Sequence, residues 1–160
     1  VCSSDLNIHN IHLKILGDGS QRESLLQKVK KLQLEDNIEF CGVVDNVAIE
    51  LSHAKCFILT SNYEGMPNAL MEAMTIGVPA ISTDCPCGGP KSVMTDESGL
   101  CSGILIKCED SPALAKSICD LLSDPVMQKT IHLREKKRSK AFSSETILSK
   151  WDAILLEKRV

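Results

Sequence analysis

Five short apolar runs, each closed by a turn carrying glycine, proline or aspartate and followed by a helix-patterned stretch, constrain the fold of this chain more than anything else in it. The runs cover residues 11–16, 38–41, 56–60, 78–82 and 103–106. In the first, Ile11, Leu13 and Ile15 alternate with His12 and Lys14, which is the period of a strand. Residues 56–60 are apolar almost throughout, which predicts a strand buried on both faces. Ser20 with Glu23 reads as a capping box opening a helix whose inner side carries Leu25, Leu26, Val29 and Leu32. Further helices are predicted over 47–54, 68–74, 91–95, 112–122, 126–140 and 144–158, with Leu114, Ile118, Leu121 and Leu122 at helical spacing. Strand-helix alternation of this kind predicts an α/β fold, a Rossmann-like parallel sheet of about five strands with right-handed crossovers and helices on both faces. Ligands of such sheets bind at the carboxyl edge of the strands. The Gly17 loop and the loops at 42–45, 61–68 and 84–89 are expected to line one cleft there.

Composition narrows the class. The 160 residues suffice for one well-cored domain, with 43% hydrophobic residues, 24% charged residues and a net charge of −3. No global basic field is present and aromatics make up 3%, so nucleic-acid binding is disfavoured. No apolar run approaches the roughly 18–20 residues that span a bilayer, and residues 1–6 do not form a secretion signal. A cytoplasmic protein is expected. The chain begins with Val1 rather than Met, which suggests a fragment, with residues 1–6 a non-native or disordered leader and 7–160 a single domain. The eight cysteines lie in or beside strand-like runs (Cys41, Cys56, Cys101) or in a helix (Cys119), and are expected as reduced, mostly buried thiols. Cys85-Pro86-Cys87 has neither the C-x-x-C spacing nor a neighbouring histidine for a zinc site, so no metal is expected.

Chemistry concentrates in Glu64-Gly-Met-Pro-Asn-Ala-Leu-Met-Glu72. Pro67 suits a first helical turn and the residues after it are good helix formers, so a helix start lies between the two glutamates. Asn68 and Glu72 then share a face, about 5–6 Å apart along the axis, roughly the span from a phosphate to the ribose of one nucleotide. Free amides near Asn68 and Ala69 suit an anion, and Glu72 would meet ribose hydroxyls. Taken alone, the spacing is also what helix-dipole preference for acidic residues produces.

In combination, Leu16-Gly-Asp-Gly-Ser-Gln-Arg22, Phe40-Cys-Gly-Val-Val-Asp45, Ser61-Asn-Tyr-Glu-Gly-Met-Pro-Asn68, Glu72-Ala-Met-x-x-Gly-x-Pro79 and Asp84-Cys-Pro-Cys-Gly-Gly-Pro90 carry a resemblance. The stretch from Leu16 to about Trp151 resembles the C-terminal, donor-binding half of retaining GT-B glycosyltransferases of family 4, glycosyltransferases group 1, closest to bacterial enzymes of lipopolysaccharide, capsule or lipid-linked oligosaccharide synthesis. The resemblance implies transfer of a hexose or N-acetylhexosamine from a nucleotide diphosphate sugar, favouring UDP, to a glycan or lipid-linked acceptor. It implies that Glu64 is the catalytic residue that positions the donor sugar, that Gly65, Met66, Asn68 and Ala69 hold sugar and distal phosphate, that Glu72 binds ribose and that Val44 contacts the base. Gly17 is a further cleft glycine. No metal or other cofactor is implied, because a helix N-terminus and basic side chains stabilise the leaving diphosphate. Front-side attack is the implied mechanism, with the acceptor entering on the face the diphosphate leaves.

Family members also carry an upstream glycine-arginine segment and a lysine that clamp the diphosphate, and an N-terminal acceptor domain; these 160 residues are expected to lack both, to bind a nucleoside diphosphate weakly and to transfer no sugar. Peripheral membrane association is expected of a longer protein. Two other readings stay open: a stand-alone nucleotide-sugar-binding subunit of a split enzyme, and a nucleotide-sugar epimerase of similar fold. Ser92 stands where many relatives carry glutamate. Lys136, Lys137, Arg138 and Lys140 read as a solvated helix face, and Trp151 as a packing anchor.

Overall fold

The computed structural model describes residues 11–157, which divide into two compact units on either side of the Glu50–Leu51 bond. The expected leader at residues 1–6 lies outside the described residues. In the first unit, β1 (Leu13–Leu16) and β2 (Ile38–Gly42) run parallel, Leu13 opposite Ile38 and Leu16 opposite Gly42, with a bulge between Ile15 and Leu16. The crossover between them is α1 (Arg22–Lys31).

The capping box does not form. α1 starts after Gln21, which makes no side-chain cap, one residue later than a box on Ser20 requires, and the Arg22 amide bonds the Gly19 carbonyl at 3.0 Å in a preceding turn. Ser20 therefore stands outside the helix. Of the four residues expected on the inner side, Val29 is buried and Leu26 half-buried, whereas Leu25 is 41% and Leu32 56% exposed. Two strands cover only a strip of one helix, so the flanks of its apolar face stay open. α2 (Val47–His53) follows β2 and runs across the division.

The second unit contains β3 (Phe57–Leu59), α3 (Asn68–Ile76), β4 (Ala80–Thr83), α4 (Gly89–Met94), β5 (Ile104–Ile106), α5 (Ser111–Ser123), α6 (Pro125–Ser139), a 3-10 turn at Lys140–Phe142 and α7 (Ser144–Glu157). Its strands pair in the order β3-β4-β5, all parallel. Successive residues of a strand face opposite sides. Ala80 accordingly packs with Leu70, Met74, Val93 and Met94 of α3 and α4, and Ile81 packs with Leu121 and Ile131 of α5 and α6. Each fully buried side chain of this size contributes about 1.5–3 kcal/mol, and these two layers hold helices on both faces of the triplet.

The five expected strands are all present, hydrogen-bonded as a pair and a triplet. Residues 56–60 do not form the doubly buried strand. β3 is an edge of the triplet, with Phe57, Ile58 and Leu59 half-buried, while the central β4 is buried at all four positions. Trp151 on α7, expected as a packing anchor within this chain or against a further domain, is 58% exposed among the described residues, and Leu148, Leu155 and Leu156 beside it are exposed as well. Among the described residues, no helix is long and apolar enough to cross a membrane.

Candidate functional site

β3 delivers the chain to a loop at its carboxyl end, and β4 delivers a second loop beside it. The two are tied together by side chain to backbone contacts. Thr83 Oγ1 donates to the Ser61 carbonyl, Cys87 Sγ lies 3.1 Å from the Glu64 amide and 2.9 Å from the Glu64 carbonyl, and Cys85 Sγ lies 3.9 Å from that carbonyl. Gly89 fits directly beneath this turn. A Cβ on it would overlap the carbonyl oxygens of both Glu64 and Gly65, so the position requires glycine for close approach. With its backbone fixed, Glu64 is half-buried, and its Oε1 accepts from Ser61 Oγ at 2.9 Å.

Pro67, buried, is the N-cap of α3 rather than its first-turn residue, one position earlier than the sequence suggested. It offers no side-chain cap, so the first-turn amides at Asn68, Ala69 and Leu70 have no acceptor within the helix. The first turn closes only with Met71 N donating to the Pro67 carbonyl at 3.1 Å. Leu70, Ala73 and Met74 turn inward, which leaves Asn68, Ala69 and Glu72 on one exposed face. No acidic residue occupies the first turn to neutralise the partial positive charge there. α3 ends at Gly77, in the left-handed region at φ 87°, whose amide bonds the Ala73 carbonyl at 2.9 Å.

Glu64, Gly65, Met66, Asn68, Ala69 and Glu72 are thus brought together at the carboxyl edge of β3, with Met66 59% exposed. Gly17 and half-buried Val44 belong to the first unit, each on the segment following its strand. Sequence reasoning missed what holds Glu64. Ser61, Thr83, Cys87 and Gly89 carry that role, and the Cys-Pro-Cys-Gly-Gly-Pro run, read as a cleft loop, a rejected zinc site and a piece of the resemblance but not as the support of Glu64, was the sign of it. A cavity of about 300 Å³ at the same strand edge is lined by Asn62, Thr83, Lys107, Glu109 and Asp110 among others. Ser92, in the glutamate position, bonds the Gly89 carbonyl at 2.8 Å and so helps shape the start of α4.

Two expectations from the sequence are corrected. Arg138 reaches back to the carbonyls of Ser92 at 2.7 Å and Val93 at 2.8 Å, so the basic run is not wholly solvated. Of the seven described cysteines, all free, only Cys85 and Cys119 are buried, Cys87 is exposed and the rest are half-buried, a more open set than expected. Burial pushes the Cys56 thiol up to about 12, with Glu135 adding to the effect.

Residues 3–140 match the family model for glycosyl transferases group 1. The chain is 33% identical over 148 residues to the alpha-1,4-N-acetyl-D-galactosaminyltransferase of Campylobacter jejuni that acts on an undecaprenol-linked saccharide, covering 92% of this chain and 40% of that protein. It superposes on S. aureus TarM, solved with fondaparinux, alpha-GlcNAc-glycerol and UDP, with a TM-score of 0.78 at 26% identity, covering 88% of this chain and 28% of that one. The pneumococcal O-GlcNAc transferase GtfA, solved with UDP and GlcNAc, gives 0.75 at 25% identity, covering 91% and 29%. These neighbours are GT-B enzymes, and the chain spans about two fifths of the length of the curated relatives it matches. A carboxyl-edge loop pinned around Glu64, an uncapped helix bearing Glu72 and a family match over most of the sequence lead to one assignment: the chain belongs to the glycosyl transferases group 1 family.

Proposed function

We propose that this chain is the donor-binding half of a retaining glycosyltransferase, holding a nucleotide diphosphate sugar, with UDP favoured as the nucleotide. The observation that carries the reading is the exposed face of α3, where uncapped amides at Asn68 and Ala69 stand one turn before the Glu72 carboxylate. Amides at a helix start attract a phosphate without any metal, and a carboxylate accepts from two vicinal hydroxyls. Glu72 is therefore assigned to ribose. Glu64, held by Ser61 on the loop that leads into this helix, is assigned to the hydroxyls of the donor sugar, with Gly65 and Met66 completing the sugar and phosphate cradle. On the resemblance alone, Val44 is assigned to the base and Gly17 to a glycine loop of the donor-binding half.

In this reading, transfer to a glycan or lipid-linked acceptor proceeds by front-side attack in the longer protein, in the cytoplasm and at the membrane face. Support comes from the UDP in the TarM and GtfA structures and from the undecaprenol-linked acceptor named for the Campylobacter relative. Titration calorimetry of the 160-residue chain against UDP, GDP and ADP tests it, with Glu72→Ala as the comparison. The expected result is preference for UDP, with a loss of about tenfold or more in the variant, the worth of a charge-assisted hydrogen bond. Equal binding by the variant would overturn the ribose assignment.

A further inference from the structure

Cys85 and Cys87 bring their sulfurs to 3.4 Å on the loop that underlies Glu64. Cys85 is buried and Cys87 exposed. Pro86 between them fixes one backbone dihedral and keeps both thiols directed at the same carbonyl, that of Glu64. Residues two apart have Cα atoms about 5–7 Å apart, largely within the range that disulfides span. Closing the sulfur gap to a bond of about 2.05 Å needs a shift of roughly 1.4 Å, within reach of a side-chain rotation by the exposed partner.

We propose that Cys85 and Cys87 are an oxidation site, at which a hydroperoxide converts the exposed thiol and the buried one resolves it into an intramolecular disulfide that releases the backbone of Glu64. In the first step the Cys87 thiolate attacks one oxygen of hydrogen peroxide, the O–O bond breaks, hydroxide leaves and a sulfenic acid remains. In the second, Cys85 gives up its proton and attacks the Cys87 sulfur, the S–O bond breaks, and the departing hydroxide takes that proton as water. Two thiols lose two electrons, and the peroxide gains them.

The surroundings assign the order. Desolvation acts to raise the Cys87 thiol, but hydrogen bonds from the Glu64 amide, the Cys85 thiol and the Gly89 amide outweigh it and hold the group below its ordinary value. Burial raises Cys85, and the hydrogen bond to Cys87 adds to this. An exposed thiol held below its ordinary value beside a buried one held above it is the usual division between an attacking and a resolving cysteine. Disulfide formation must turn Cys87 Sγ toward Cys85 and away from the Glu64 amide and carbonyl, removing the two contacts that bind the Glu64 backbone itself while Thr83 still holds the Ser61 carbonyl. The effect on donor binding rests on the nucleotide-sugar reading; the disulfide itself does not.

The test is peptide mapping of the 160-residue chain after treatment with hydrogen peroxide and alkylation by iodoacetamide. The buried Cys119 serves in the same sample as a standard for the folded state, and reduced Cys87 should label about tenfold faster than it. The expected product is a peptide in which Cys85 and Cys87 are bonded, reversed by dithiothreitol. Cys85→Ser should trap a dimedone-reactive sulfenic acid at Cys87, and Cys87→Ser should yield no bond. Both thiols remaining alkylatable, or a bond that maps to Cys108, would overturn the proposal. In the same samples UDP-glucose affinity should fall about tenfold on oxidation. A disulfide that leaves UDP-glucose affinity intact overturns the release of Glu64, while absence of UDP and UDP-glucose binding by either form overturns the nucleotide reading and leaves the mapped bond as the result for the oxidation site.

Discussion

Gly89 lies in contact with the backbone of Glu64, with no room between them for a methyl group. The atoms that a Cβ would meet are carbonyl oxygens, which cannot swing aside as a side-chain terminus does. Gly89→Ala is therefore expected to cost about 2–3 kcal/mol, in the upper range for overpacking. Gly88 gives the matched comparison. It has open space at Cβ but φ at 73°, so Gly88→Ala carries only left-handed strain, roughly 1–2 kcal/mol. Urea denaturation of both variants checks the order, and Gly89→Ala should also move the fluorescence of Tyr63, one residue before Glu64, where Gly88→Ala should not.

Why some of this was legible in the sequence and some was not follows from where each constraint sits. Strand positions came from periodicity within one segment, and α3 from a proline followed by helix formers, so all five strands and the exposed placement of Asn68 and Glu72 could be read. Contacts between segments left no such trace. Ser20 and Glu23 satisfy the capping pattern, but a turn closed by the Arg22 amide on the Gly19 carbonyl precedes the helix, which starts one residue too late for Ser20 to be its N-cap. Residues 56–60 have the composition of a central strand, yet burial depends on neighbours, and the central place belongs to β4. Glu64 could be named from its motif, whereas its link to Cys87 spans 23 positions and depends on two loops meeting.

Gly77 and His132 form a second tight pair. His132 Nδ1 is 2.6 Å from the Gly77 carbonyl, and a Cβ at position 77 would come within 2.6 Å of the imidazole ring. Gly77→Ala combines this clash with φ at 87°, for an expected cost of about 2–4 kcal/mol. His132→Ala removes the ring but neither the left-handed strain nor the approach of Lys136 Cγ to 2.8 Å. The double variant should then be more stable than the sum of the two single losses, by about 1 kcal/mol or more, as a double-mutant cycle in urea reads directly.

Glu135 of α6 is fully buried, with Oε1 accepting from the Ala80 amide at 2.8 Å and Oε2 without a hydrogen-bond partner among the described residues. Burial pushes its carboxyl up to about 8 from an ordinary value of 4.5, against the opposing effect of the Ala80 hydrogen bond. Between those two values the folded chain keeps a proton that the unfolded chain releases. Its contribution is therefore complete below about pH 4.5 and is lost as pH rises toward about 8, at a slope of at most roughly 1.4 kcal/mol per pH unit. Glu135→Gln keeps an acceptor for Ala80 and has no charge to release. Its thermal midpoint should change less than that of the parent between pH 5 and pH 8.5, and parallel curves would refute a neutral Glu135.

Arg138 closes the far end of α4. Its Nε and Nη2 donate to the Val93 and Ser92 carbonyls, in the last turn of that helix, and its guanidinium lies 4.8 Å from the centre of the Phe142 ring. The planar fork does three things at once: it satisfies two carbonyls that have no partner within a helix ending at Met94, and it stacks on an aromatic face. Lysine preserves the charge but has no plane, so it can serve one carbonyl or the ring but not all three contacts. Arg138→Lys is accordingly expected to cost about 1–2 kcal/mol in urea denaturation, whereas Lys137→Ala, on the exposed side of the same helix, should stay within about 0.5 kcal/mol. Phe142→Leu separates the two parts of the role. If the stack matters, Arg138→Lys should cost about 0.5–1 kcal/mol less in the Phe142→Leu background than in the parent, and an unchanged cost would place the whole effect in the carbonyl bonds.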